Sequence, residues 1–295
     1  MLNLFVQNPT IKAIYREDST RQSTSRPILV VKYGPPASGK GSDRTQKAIE
    51  SLGVKYDEMI HFNIDDVIES LEQFRGTSRK QLEQTFKYMT NSSLQDVNKK
   101  NKLKANLNII GNNNIKDFSK IYFNIRNAPI NATETQTWEL IDTMMGKAMK
   151  SNLNISMETT GSFSFPDWLF TDPKTALYIK NYQVVFVFPT VHWDTAWSRY
   201  KARPINRYLK GGPFRFGSTK VGYAEQYIAS YTAFIEKMPT LMTNRENVSY
   251  IIVPNDVSNS QFARIERTSS YDLKLILGQF VARAEEFMRK PAGNK

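Results

Sequence analysis

Six residues, Ile28 to Tyr33 (ILVVKY), make a short, mostly apolar, β-branched run that ends at Gly34-Pro35-Pro36. A run of this kind suits a strand covered on both faces, and such strands belong to parallel sheets packed between helices. The segment that follows from Ser42 to Leu52 has helical composition. Strand, glycine-bounded loop and helix, in that order, restrict the chain to the α/β class with crossover connections.

The same rhythm recurs further on. Strands are predicted at Glu58–Asn63, Leu153–Met157, Tyr182–Phe188 and Val248–Val253. Helices are predicted at Asp65–Phe74, Trp138–Lys150, Asp167–Lys180, Val191–Lys201, Gly222–Lys237 and Tyr271–Arg289. Five strands with intervening helices predict a doubly wound, mainly parallel five-stranded sheet with helices on both faces. Residues 1–26 read as a polar leader and 27–295 as the folded domain. Within that domain, 75–135 reads as an asparagine- and lysine-rich insertion, and Pro204 to Lys220 as a loop rich in Gly, Pro and Arg.

The loop after the first strand carries the chemistry. Gly34, Pro35, Pro36, Ala37, Ser38, Gly39, Lys40, Gly41 and Ser42 follow the spacing G-x-x-x-x-G-K. A phosphate chain packs several negative charges into a small volume, and backbone N–H groups at a helix N-terminus meet them without side-chain entropy. Glycines permit the close approach, and Lys40 adds a point charge. The loop therefore predicts ATP binding. A hydroxyl usually follows the lysine directly, but here Gly41 intervenes, so Ser42 becomes the candidate for Mg²⁺ or phosphate. The competing reading is an ordinary βα turn.

In an open parallel sheet, ligands sit outside the carboxyl ends of the strands. The second predicted strand ends at Asp65-Asp66 and the third at Glu158-Thr159-Thr160-Gly161. A phosphoryl acceptor needs a carboxylate to take its proton, and Asp65 is the candidate base. Helix capping by Asp65 or Asp66 is the alternative. Between Asp194 and Glu225 there are seven cations and no acids, among them Arg199 and Arg215. Arginines on a glycine-broken loop at about 199–220 could close over a transferring phosphoryl group, while a solvated basic surface is the alternative.

Composition sets limits. The chain has no cysteine, two histidines and a net charge of +12, so neither disulfides nor thiolate metal sites are available and acidic partners are favoured. No segment has the length of apolar sequence that a membrane helix needs, and the N-terminus does not read as a secretory signal, so a cytoplasmic protein is expected. His192, Trp193 and Trp197 read as packing the helix that carries Arg199, and His61 as sitting on the sheet edge without a catalytic role.

With these pieces placed, the chain resembles the zeta toxin-like P-loop kinases. The matching stretches are ILVVKYGPPASGKGS, HFNIDDVI, LNISMETTG, WSRYKAR and FRFGSTK. The resemblance implies that Asp65 is the base on an acceptor hydroxyl and that Glu158, Thr159, Thr160 and Gly161 contact the acceptor. It also implies that Arg199 and Arg215 clamp phosphates and that Asp142 matches a family acid by spacing. Gly41-Ser42 is more like the nucleoside monophosphate kinases, and the 75–135 insertion is typical of neither group. The reaction carries over; the acceptor, a UDP-linked amino sugar in zeta toxins, does not. Two other functions fit the residues: a polynucleotide 5′-hydroxyl kinase using the basic insertion to hold a strand, and a nucleotide-dependent interaction protein without turnover.

Overall fold

The computed structural model describes residues 25–63, 137–161, 165–209, 219–256 and 264–289. Its centre is a six-stranded sheet. The strands are β1 (Ile28–Tyr33), β2 (Ile60–Phe62), β3 (Ile155–Thr159), β4 (Gln183–Thr190), β5 (Val248–Pro254) and β6 (Arg264–Ile265). They lie in the order β2-β3-β1-β4-β5-β6. The first five are parallel, and β6 runs antiparallel on β5. This is the mainly parallel, doubly wound α/β architecture that the sequence predicts, extended by one short antiparallel strand that it does not predict.

Six helices accompany the sheet among the described residues: α1 (Asp43–Glu50), α2 (Thr137–Lys150), α3 (Pro173–Ile179), α4 (Trp193–Leu209), α5 (Lys220–Asn244) and α6 (Ser270–Arg289). Every residue of β1 is buried, as a strand with neighbours on both sides and helices above and below must be. Its side chains alternate between two cores. Ile28 and Val30 join Val185, Val187, Ile251 and Val253 under Ala48 and Ile49 of α1. Leu29, Val31 and Tyr33 join Phe186, Phe188, Tyr231 and Phe234 in the larger core, which also takes in residues of α2, α5 and α6.

Local chemistry explains where the elements differ from expectation. One helix over Asp167–Lys180 is predicted; the chain instead makes a 3₁₀ turn at Pro166–Phe170 and restarts as α3. Pro173 has no N–H to continue a helix but suits its first turn, and the Asp172 carboxylate caps the new start by accepting from Lys174 N at 2.7 Å. Helix α5 runs past Pro239 to Asn244, beyond the predicted end at Lys237, because Met238, Pro239 and Met242 are buried and hold the last turns on the core. Helix α4 continues to Leu209, so the predicted loop loses Pro204 to Leu209 to helix. Trp193, beside Trp197, Tyr223 and Phe287, anchors α4 as expected of a packing residue. The predicted helix Asp65–Phe74, the leader up to residue 24 and the 75–135 insertion lie outside the described residues.

Candidate functional site

The strand order reverses direction around β1, which has β3 on one side and β4 on the other. At such a switch point the connections leave to opposite faces and open a crevice at the carboxyl ends of the strands. Four chain segments meet there: the loop after β1, Glu158–Gly161 at the end of β3, Val191–His192 after β4, and Asn255–Asp256 after β5.

The β1 loop takes left-handed backbone angles at Gly34 (φ 147°), Ala37 (φ 63°) and Gly39 (φ 96°). Ala37 adopts this conformation despite its Cβ, a strain of order 1–2 kcal/mol that the rest of the loop must offset. Ser42 ends the loop as the N-cap of α1, its Oγ accepting from Thr45 N at 3.3 Å. Asp43 in the first turn and Lys47 in the last both suit the helix dipole. The loop thus delivers the chain to a capped helix N-terminus, where anions are favoured.

Lys40 is 5% exposed, and its Nζ donates to Gly34 O at 2.7 Å and Pro35 O at 3.0 Å. The same Nζ lies 3.9 Å from Glu158 Oε1. On the other side of that carboxylate, Lys32 Nζ is 3.7 Å from Glu158 Oε2 and donates to Tyr56 Oη at 2.8 Å. Lys32 is opposite Glu158 in the β1–β3 register. One carboxylate therefore sits between two buried ammonium groups, at the end of the central strands.

The Glu158-Thr159-Thr160-Gly161 segment is fastened to the core. Gly34 N donates to Thr159 O, Gly161 N to Thr159 Oγ1, and Ser230 Oγ to Thr160 O. Gly161 holds a φ of 64°, and a Cβ there would fall 2.0 Å from the Tyr33 ring. Burial pushes the Tyr33 hydroxyl pKa up, and that hydroxyl donates to Gly161 O and Ser230 O.

Asn255 and Asp256 are functional candidates the sequence reading missed. Asn255 Nδ2 donates to Ser38 O at 2.6 Å, its Oδ1 accepts from Ser42 Oγ at 3.1 Å, and its N donates to Thr190 O at 2.9 Å. Asp256 accepts from His192 N and lies 3.7 Å from Arg199, which also donates to Asn255 O at 3.4 Å. The visible signal was the polar pair at the end of VSYIIVPND, a fourth strand ending at the same edge. Tyr223 of α5 was also missed; its hydroxyl donates to Pro36 O at 2.7 Å.

Of the residues singled out in the sequence, Lys40, Ser42 and Glu158 lie together, and Arg199 joins them through Asn255 and Asp256. Thr159, Thr160 and Gly161 line the end of β3. Asp142 is on α2, which packs against β2 and α3. Asp65 and Arg215 lie outside the described residues. His61 is on β2, the outer strand, with its Nε2 2.9 Å from Tyr56 O. Among the described residues no cluster of three or more His or acidic side chains could hold a metal by itself.

The loop and the capped start of α1 suit a phosphate group. Ser38 is fully buried in the loop, and its Oγ has no hydrogen-bond partner; Thr190 Oγ1, at the end of β4, is in the same condition. Buried hydroxyls without partners are costly, and an acceptor brought to Ser38 Oγ would remove that cost at the loop.

No protein-family model matches the sequence, and neither does any curated protein. Among solved structures, the chain is similar in shape to one from the PezAT chromosomal toxin–antitoxin system of the human pathogen Streptococcus pneumoniae. The likeness is distant, at 11% identity and a TM-score of 0.45, and spans 96% of this chain and 97% of that one. No helix among the described residues is long and apolar enough to cross a membrane.

Proposed function

We propose that this chain is a P-loop kinase that takes ATP into the Gly34–Ser42 loop and passes its γ-phosphoryl group to a hydroxyl of a small, nucleotide-linked acceptor. The observation that carries the reading is the meeting of two features at the switch point. A loop with three left-handed residues ends on a capped helix, and its lysine Nζ lies 3.9 Å from a carboxylate on the neighbouring strand. Ordinary βα turns need neither.

The roles follow from charge. Lys40 rests on the loop's own carbonyls and is in place to turn to the phosphates. Glu158, steadied by Lys32, is available to accept a hydrogen bond from an acceptor hydroxyl. Arg199 stands on α4 beside Asp256, and with Arg215 it would neutralise charge on the moving group. Mg²⁺, which Ser42 would help to hold, supplies charge neutralisation on the phosphate oxygens. In the transfer, the acceptor oxygen forms a bond to the γ-phosphorus, the bond to the bridging oxygen breaks, and ADP departs. The acceptor proton goes to the carboxylate assigned as base, Asp65.

Labelled ATP incubated with UDP-sugars, nucleosides and 5′-hydroxyl oligonucleotides tests the proposal. One class should gain label with the wild-type protein. Lys40→Ala should bind ATP at least tenfold more weakly, and Asp65→Asn should bind ATP normally yet lose most transfer. Undiminished transfer by Asp65→Asn removes Asp65 as base. ATP binding without transfer to any acceptor favours a nucleotide-dependent interaction protein.

A further inference from the structure

We infer that Asn255 is a positioning residue for triphosphate binding: its side chain ties the crown of the β1 loop to the first turn of α1 and sets the Ser42 hydroxyl. The inference rests on the reading that this loop binds a triphosphate. Asn255 comes from the opposite end of the chain, 213 residues beyond Ser42, yet each side-chain polar atom of its amide is used on the loop. Nδ2 holds Ser38 O at 2.6 Å, and Oδ1 takes the Ser42 proton at 3.1 Å. Its backbone is fixed in turn by the bond from its N to Thr190 O.

The consequence for Ser42 follows from counting. A serine hydroxyl has one proton and two lone pairs. The proton goes to Asn255, and one lone pair accepts Thr45 N. Thr45 Oγ1, 3.2 Å from Ser42 Oγ, gives its own proton to Gly39 O at 2.8 Å. One Ser42 lone pair remains, as a group meant to accept from a hydrated cation or ligate it requires. Without Asn255, the Ser42 proton would be free to turn into that position.

Asn255 also closes the loop sterically. A Cβ on Gly39 would lie 2.2 Å from Asn255 Nδ2. The glycine is therefore needed partly because the amide occupies the space a side chain would take. The loop, the cap and the amide form one unit.

Binding of a fluorescent ATP analogue to the full chain tests this, with thermal unfolding measured in parallel. Asn255→Ala should weaken binding by tenfold or more, and Ser42→Ala should also weaken it. The double variant should lose less than the product of the two, because both act on the same hydroxyl. Asn255→Asp keeps the Ser42 acceptor but turns the donor to Ser38 O into an acceptor. It too should lose affinity, and it serves if the alanine variant does not fold. Wild-type affinity in a folded Asn255→Ala or Asn255→Asp variant overturns the inference, as do fully multiplicative losses with Ser42→Ala. Failure of the wild-type protein to bind the analogue overturns both the triphosphate reading and this inference.

Discussion

Glycine at position 39 answers two demands at once, and the demands can be separated. Its φ of 96° is left-handed, which strains any residue with a Cβ, and the space beside it is filled by the Asn255 amide. Gly39→Ala should therefore destabilise the fold by about 1–3 kcal/mol, as non-glycine residues in such conformations do. Phosphate affinity should fall as well, since the clash is relieved when either the loop or the Asn255 amide moves, and both movements break the bonds Asn255 makes to Ser38 and Ser42. Urea unfolding read beside ATP-analogue binding checks both effects, and a variant with unchanged affinity would mean the loop tolerates that movement. Lys32 shows a different kind of constraint. A lysine with 6% exposure inside a central strand is costly unless paired, and here it faces Glu158 and Tyr56. From sequence it is one cation in an apolar run, with nothing to mark it as part of a site.

Helix α5 is the element that joins the hydrophobic core to the loop. It presents Tyr223, Tyr227, Tyr231 and Phe234 inward, and the first of these reaches out to Pro36 O. Tyr223→Phe keeps the ring stacking with Trp193 and Tyr200 but removes the hydroxyl. The expected loss is about 1 kcal/mol of stability, as for one buried hydrogen bond, together with weaker ATP-analogue binding because the Pro35-Pro36 segment is released. Unchanged binding would confine Tyr223 to packing. The same elements show what a sequence discloses. β1 was legible to the residue, since an apolar run bounded by Gly34 admits one reading. The start of α3 and the continuation of α5 were not, because a proline can begin a helix or be carried within one, and burial of Pro239 decides which. β6 is two residues long and has no apolar run to signal it. Lys40 and Glu158 were legible because a motif or a strand end placed them. Asn255, Tyr223 and Lys32 were not, because their roles exist only once segments distant in sequence have met.

At the scale of the whole molecule, an aromatic core filled with tyrosine hydroxyls makes stability depend on alkaline pH. Tyr33, Tyr182, Tyr223, Tyr227 and Tyr231 all have their pKa raised, in each case chiefly because burial disfavours the phenolate. Their hydroxyls are also engaged: Tyr182 donates to Leu153 O, Tyr227 to Val191 O, and Tyr231 to Val191 O. In the unfolded chain they return to the ordinary tyrosine value near 10. Above that pH the unfolded state gives up protons that the folded state keeps, so rising pH favours unfolding. Below about pH 10 the contribution is fully present. Above it, each such tyrosine removes about 1.4 kcal/mol per pH unit, until its own folded-state pKa is reached. Five acting together would exhaust the roughly 5–15 kcal/mol stability of an ordinary domain within about one or two pH units. The chain should therefore unfold cooperatively above about pH 10. Phenolate absorbance should rise in two parts, a gradual one from exposed tyrosines and a steep one coincident with loss of the circular dichroism signal. A steep phase that precedes unfolding would mean the buried hydroxyls reach solvent while the sheet is intact. In that case the core around Tyr33 and Tyr223 would not be what steadies the β1 loop, and the rigidity that the proposed phosphate site requires would have to come from the bonds of Asn255, Lys40 and Gly34.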